Sequence, residues 1–370
     1  MFQPQKYFPQ FKERQILFDA DVLEEPDHYL AFPSLYVASG GIIVIAYKRG
    51  SAHYQTSASL EVMRYDPVQR RVVMRQLIDA EPEINHQNPE LLCMPNRQLV
   101  IYQDTQQPCA PTVRLGIKEY RSDDEGKTWN RVFRSPDGLV DNLGIVYGYV
   151  YDMVQVDGTV FLVASAFGYM NERNGAVPDF VICPRFESTQ NVHVIKSEDS
   201  GETWQHVCNL TDSFDCAFNE CTFLPYGDGF VFFTRGNDTV THAIRCDKEF
   251  QLEQKRNLSE GFHCINYWGR PKLFCADGRY FVLTRNYPIT GGPMELNLYE
   301  FDLEQLAPLS YIELEPANSK DGFYAESYFC TQEGQTNLEV VTYSQVYSKS
   351  PDILLLRYRW DELKGAARKQ

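Results

Sequence analysis

An apolar run, a tight polar turn and a second apolar run recur six times along this chain of 370 residues. The fourth copy is the clearest: Phe218-Asn219-Glu220-Cys221-Thr222-Phe223-Leu224 leads through Pro225-Tyr226-Gly227-Asp228-Gly229 into Phe230-Val231-Phe232-Phe233-Thr234-Arg235. Turn chemistry of this kind between apolar runs predicts a β-hairpin. Its strands are antiparallel, so Glu220 at the start of one and Arg235 at the end of the other are expected side by side. The remaining copies open near Pro33, Pro89, Asp152, Pro271 and Glu326 and turn at Gly40-Gly41, Pro95-Asn96, Asp157-Gly158, Asp277-Gly278 and Glu333-Gly334. Their spacing of roughly 50–70 residues is the length that one four-stranded propeller blade requires. The expected fold is all-β: a six-bladed β-propeller of four-stranded antiparallel blades. No linker interrupts it, so residues 1–370 are expected to be a single domain.

Composition narrows the function. Aromatic residues make up 14% of the chain, which favours strands. The formal net charge is −15 and no long Lys/Arg run occurs, so nucleic acid is not an expected partner. A local arginine cluster can still hold an anion. No apolar run is long enough to span a membrane, and residues 1–7 lack an apolar leader, so a cytoplasmic protein is expected. The 10 cysteines include no CxxC pair; Cys93, Cys221, Cys275 and Cys330 fall within apolar strands and are expected to be reduced core residues. Sequons at Asn209, Asn237 and Asn257 read as chance matches. The seven histidines show no zinc-like spacing, and there is no Gly-rich phosphate loop. Neither a metal nor a nucleotide cofactor is expected.

Two turns share the pattern S-x-D-x-G-x-T-W, Ser122–Trp129 and Ser197–Trp204. Ser and Asp can bond the turn backbone, Gly supplies positive φ, and Trp fills the space between strands. Arg64-Tyr65-Asp66-Pro67 and Tyr299-Glu300-Phe301-Asp302 are degenerate versions. These turns look like Asp boxes, and with six repeats the chain resembles the sialidase (neuraminidase) superfamily of six-bladed propellers over nearly its whole length. The resemblance implies that an N-terminal strand, Gln15-Ile16-Leu17-Phe18, completes the last blade beside the late strand Asp352–Tyr358. Stretches 81–88 and 168–179 read as loops.

In a propeller the inner strand of each blade starts on one face and the next strand returns to it. Residues at those ends surround the axis. Strand starts offer Asn88, Glu90, Tyr151, Asp152, Asn219, Glu220, Arg270, Tyr324 and Glu326; strand ends offer Arg49, His53, Asp104, Arg235, Arg285 and Tyr343. Carboxylates, arginines and tyrosines converging on a concave site are the groups that sugar chemistry uses. The resemblance implies roles: a tyrosine nucleophile activated by a glutamate, an acid/base group, and arginines that clamp a substrate carboxylate. Tyr324, in Asp321-Gly322-Phe323-Tyr324-Ala325-Glu326, stands where the nucleophile is expected, Glu220 and Arg235 match the Glu and second Arg, and Arg270 and Arg285 are alternatives for the third. Glu90, Asp152 and Glu326 are expected to line the funnel.

Two departures stand out. The segment matching the first arginine is Tyr29-Leu30-Ala31-Phe32-Pro33-Ser34-Leu35, with no arginine, and no aspartate precedes Asp66 where the acid/base Asp is expected. His53 is the candidate replacement, because imidazole titrates near neutrality. Arg49 is the candidate source of positive charge. The sequence therefore supports an exo-glycoside hydrolase removing a terminal sugar, with acidic sugars among the candidates. Alternatives are a polysaccharide lyase acting on uronate glycans and a carbohydrate-binding propeller without catalysis. The sugar, linkage and oligomeric state are not legible.

Overall fold

The computed structural model describes residues 3–20, 23, 28–53, 57–107, 113–134, 138–171, 179–182, 191–236, 239–287, 294–316, 321–345 and 349–366. Cys109, Cys183, the sequon at Asn237 and residues 172–178 lie outside them; residues 85–88 and 168–171 are strand, so the loop readings of 81–88 and 168–179 are corrected there. Blade I runs Tyr29–Val37, Ile43–Gly50, Ala58–Asp66, Arg71–Asp79, and blade II Asn85–Cys93, Leu99–Gln107, Val113–Ser122, Asn130–Val132. Blade III runs Ile145–Val156, Thr159–Asn171, Val192–Ser197, Gln205–Asn209, and blade IV Cys221–Tyr226, Gly229–Arg235, Thr241–Cys246, Leu252–Asn257. Blade V runs Tyr267–Ala276, Arg279–Tyr287, Glu295–Asp302, Ala307–Glu315. Blade VI combines Gly322–Gln332, Gln335–Ser344 and Asp352–Arg359 with Glu13–Phe18, which pairs antiparallel to Asp352–Arg359. The four strands named for each blade pair antiparallel; Lys6–Tyr7 adds a fifth strand to blade V, parallel to Ala307–Glu315, and blades I and II touch through one parallel bridge, Ala58 to Asn85.

Six buried clusters hold the ring, one for each pair of adjacent blades. Tyr65 and Phe32 meet Tyr328 and Leu355 across VI/I. Val62 meets Ile101 across I/II, and Tyr102 meets Leu162 across II/III. Tyr149 and Val194 meet Phe223 and Phe232 across III/IV, Phe233 meets Trp268 across IV/V, and Leu298 meets Tyr358 across V/VI. Period-2 alternation inside each strand gives both faces of a central blade an apolar row, which is why the hairpins read as near-continuous apolar runs. The eight described cysteines are unbridged. Cys221 is buried, but Cys275 is exposed and Cys93 and Cys330 are only half-buried, so the reading of all four as core residues is corrected. No helix is long and apolar enough to cross a membrane.

The turn before the fourth strand is built as its sequence implies. Asp124 Oδ1 accepts from Thr128 N (2.8 Å), and Ser122 Oγ accepts from Gly126 N (2.8 Å); Asp199, Ser197 and Gly201 repeat this arrangement. Despite the cost of partial burial, these bonds hold Asp124 and Asp199 down to about 2. Asp66, Asp247 and Asp302 make shorter versions in blades I, IV and V. Asp247 carries no sequence pattern and was missed. Asn209 and Asn257 cap short helical turns, accepting from Thr211 N and from Glu260 N respectively, so these two asparagines have a structural task.

Four inner strands carry the same irregularity. The ladder passes from Ala31–Lys48 to Ser34–Ala46, from Gln87–Asp104 to Glu90–Tyr102, from Gly269–Arg285 to Lys272–Leu283, and from Gly322–Ser344 to Ala325–Thr342. Each step inserts one extra residue, a β-bulge. Its first residue is left-handed: Phe32 (φ 56°), Asn88 (44°), Arg270 (42°) and Phe323 (65°). The next residue is Pro33, Pro89 or Pro271, which has no N–H to withhold from the ladder. In blade VI that position is Tyr324. Left-handed residues with side chains cost about 1–3 kcal/mol each and concentrate at functional sites.

Candidate active site

Glu220 precedes the inner strand of blade IV and is 5% exposed. Its Oε1 accepts a hydrogen bond from Tyr324 Oη, and its Oε2 accepts from Arg235 Nη1 (2.8 Å) and from the backbone N of Arg270 (2.8 Å). Burial opposes the charge on Glu220, but Arg235, Arg285 and the Tyr324 hydroxyl outweigh it and hold the carboxyl below its usual range. Tyr324 is pushed far up, first by burial and then by the Glu220 carboxylate, with Arg285 and Arg235 pulling the other way. The phenol is therefore protonated at rest, with its acceptor already in place.

The two arginines left open by the sequence divide cleanly. Arg285 Nη2 lies 3.4 Å from Tyr324 Oη, and its guanidinium stacks over the Tyr324 ring at 4.5 Å. Arg270 turns its Nη1 to Tyr149 Oη (2.9 Å) and its Nη2 to Glu90. Arg235 and Arg285 thus flank the Tyr–Glu pair. Arg270 braces it from the backbone, its guanidinium standing farther from the Tyr324 ring, at 5.8 Å.

On the blade I side, His53 Nδ1 lies 3.0 Å from Asp321 Oδ2. The His53 ring packs edge-on against Phe32 (5.0 Å, 77°), and Phe32 in turn touches the Tyr324 ring (5.4 Å). His53 and Tyr324 therefore share one aromatic neighbour at the bulge of blade I.

Further along the inner strands, charged residues tie the blades across the axis. Lys272 Nζ donates to Glu90 Oε1 (2.6 Å), pairs with Glu326 Oε1 (3.1 Å) and lies 3.9 Å from Asp152 Oδ1. Asp152 Oδ2 accepts from Thr222 Oγ1 (2.6 Å), and Glu326 Oε2 accepts from Leu35 N (2.9 Å). The fold brings Glu90, Asp152 and Glu326 to the axis, as the hairpin geometry implies. There their carboxylates bind one lysine and neighbouring strands, with Glu90 only 1% exposed.

Arg49 is not brought to this group, and the reading that places it there is corrected. It pairs with Glu61 (2.8 Å) beside Ser57, Leu77 and Pro82 on the far side of blade I. The residue that faces inward is its neighbour Lys48, 0% exposed, opposite Ala31 in the ladder. A one-residue difference along a strand reverses the face. Lys48 Nζ donates to Gln87 Oε1 (2.6 Å) and to the His53 carbonyl, and burial pushes its ammonium down to about 7. Lys48 Nζ, committed to these partners, lies 5.5 Å from the Tyr29 ring and 5.9 Å from the Phe32 ring. Asp104 is held by Arg114 (2.8 Å), and Tyr151 donates to Asn219 (3.2 Å). Lys48, Lys272, Tyr149, Tyr29 and Asp321 were not among the sequence candidates. Lys272 had a readable signal, a lone lysine inside the apolar opening Pro271-Lys272-Leu273-Phe274. Among the described residues no cluster of three or more His, Cys, Asp or Glu suits a metal ion.

No family model and no curated protein matches the sequence. Solved structures do match. A Dyadobacter fermentans protein of unknown function superposes with a TM-score of 0.69 at 17% identity, covering 94% of this chain and 98% of that one. A Trypanosoma rangeli sialidase gives 0.63 at 11% identity over 96% of this chain, which spans 61% of the sialidase. A variant of the NanB sialidase from Streptococcus pneumoniae gives 0.59 at 9% identity, over 94% and 71%. Identities this low speak to architecture alone, and the architecture they share with this chain is that of a divergent, sialidase-like β-propeller.

Proposed function

We propose that this protein is an exo-acting glycoside hydrolase in which Tyr324 is the nucleophile. The observation that carries the reading is the Tyr324–Glu220 hydrogen bond, flanked by Arg235 and Arg285. A neutral phenol attacks poorly, and an adjacent ionised carboxylate is the base that a tyrosine nucleophile needs. As Oη bonds to the anomeric carbon, its proton passes to Glu220 Oε1. The glycosidic C–O bond breaks, and the leaving oxygen takes a proton from His53. Water, deprotonated by His53, then displaces the tyrosyl oxygen, which recovers its proton from Glu220. Two arginines beside the nucleophile favour an anionic substrate group, which supports an acidic terminal sugar as the substrate class.

The test is product release from aryl glycosides of sialic acid, a uronic acid and several neutral sugars. We expect Tyr324→Phe and Glu220→Gln each to lower kcat by about 10³-fold or more with folding intact. Unchanged turnover in both variants sinks the assignment. An ultraviolet-absorbing unsaturated product from a uronate glycan, in place of hydrolysis, replaces it with a lyase.

A further inference from the structure

The segment that carries Tyr324 opens three residues earlier with a carboxylate that the chemistry above leaves idle. Asp321 is ringed by donors from three parts of the fold. Tyr29 Oη, from the inner strand of blade I, donates to Oδ2; Tyr343 Oη, from the second strand of blade VI, donates to Oδ1 at 3.0 Å; His53 Nδ1 lies 3.0 Å from Oδ2. Burial works against the charge on Asp321, but the bonds from His53, Tyr29 and Tyr343 hold it at about 2. An ionised carboxylate accepts hydrogen bonds and donates none, so the nitrogen facing it must carry the hydrogen.

The rest of His53 is fixed as firmly. Its carbonyl accepts from Lys48 Nζ and from Gln87 Nε2 (2.8 Å), and its ring stands edge-on to Phe32. Its side chain is 38% exposed and that of Asp321 is 26% exposed, so the imidazole is the more accessible of the two. Among the described residues, Asp321, Tyr29 and Phe32 stand against His53, with Lys48 at its backbone; Tyr343 bonds Asp321.

We propose that Asp321 is a positioning residue that holds neutral His53 in the Nδ1–H tautomer, leaving Nε2 as the nitrogen that trades a proton with the substrate. In the first step imidazolium Nε2–H passes its proton to the leaving oxygen, and the ring becomes the neutral Nδ1–H form. In the second, Nε2 takes a proton from water and the imidazolium returns, its charge facing the Asp321 carboxylate. The proton count closes over the cycle. A carboxylate that keeps a histidine in one tautomer is the arrangement that proton-transfer catalysis favours. The catalytic part of this inference rests on the hydrolase reading; the tautomer does not.

The experiment uses the full chain labelled with 15N-histidine, with His53 assigned by His53→Gln. Two-bond proton–nitrogen couplings above the histidine titration report the tautomer without any substrate. We expect Nδ1–H in the wild type and a mixed or reversed population in Asp321→Asn. Nε2–H in the wild type overturns the proposal outright, a result that stands even if Asp321→Asn fails to fold. So does an unchanged tautomer in the folded variant. On a cleavable glycoside, Asp321→Asn is expected to lower kcat by about 10²-fold or more, to leave KM within about 3-fold, and to move the histidine limb of the kcat–pH profile. A carboxylate that only ties blades I and VI together would lower the folded fraction and leave that limb in place, which also overturns the proposal. A wild type in the Nδ1–H form that cleaves no glycoside supports the positioning and removes the hydrolase reading.

Discussion

Lys48 and Arg49 show what one residue decides. The sequence brings a basic pair to the end of an apolar strand, and nothing in residue type says which member turns inward. The ladder does: Lys48 pairs with Ala31 and is buried, while Arg49 meets Glu61 on the other face. Arg49→Ala is therefore expected to leave turnover unchanged and to destabilise by about 1–3 kcal/mol, because it leaves the buried Glu61 carboxylate without its cation. Urea unfolding and the aryl-glycoside assay check both. Burial of single residues also sets a pH dependence. His86 and His193 are buried, and desolvation, the largest cause in each, lowers them from 6.5 to about 4 and about 3. Between 6.5 and those values the unfolded chain takes up protons that the folded chain does not. Stability is then full above 6.5 and falls as pH drops, by at most about 1.4 kcal/mol per pH unit for each histidine. His193→Gln should flatten the fall measured by urea unfolding between about pH 7 and pH 5; an unchanged slope contradicts it.

At the level of elements, the hairpins and the serine–aspartate turns were legible because they are local. Glu220 and Arg235 could be paired from sequence for the same reason: a short hairpin fixes its own register. The bulges were half legible. Pro33, Pro89 and Pro271 mark them, but the left-handed residue before each is set by the ring and by no propensity of Phe, Asn or Arg. Tyr324, in the blade where the proline is absent, was therefore legible as a candidate through its place in the repeat and not through a bulge signal. Asp321 was illegible because its three donors come from residues 29, 53 and 343. The turns carry their own prediction. Gly126 has φ +77°, and a Cβ there would stand 2.8 Å from Val44 Cγ1. Gly126→Ala should cost about 1–3 kcal/mol in urea unfolding without changing KM, since the turn lies outside the site. A loss under about 0.5 kcal/mol would mean that the turn relaxes.

For the whole molecule, six apolar seams and one axial lysine make a closed circle. Lys272 touches carboxylates of blades II and VI and approaches that of blade III, so its loss leaves buried negative charge in several blades at once. Lys272→Met is expected to cost about 3–5 kcal/mol, measured as a lower urea midpoint. A midpoint equal to the wild type would show that the axis tolerates repacking. The seam between blades VI and I depends on Glu13–Phe18, whose partner Asp352–Arg359 lies at the other end of the described chain. At a ribosome adding about 5–20 residues per second, the stretch from Phe18 to Asp352 takes roughly 17–70 s to emerge. For that interval the Glu13–Phe18 segment presents its open edge to every other chain in reach. The hazard of misassembly is therefore set by the duration of synthesis, and the finished ring's stability does nothing to shorten it.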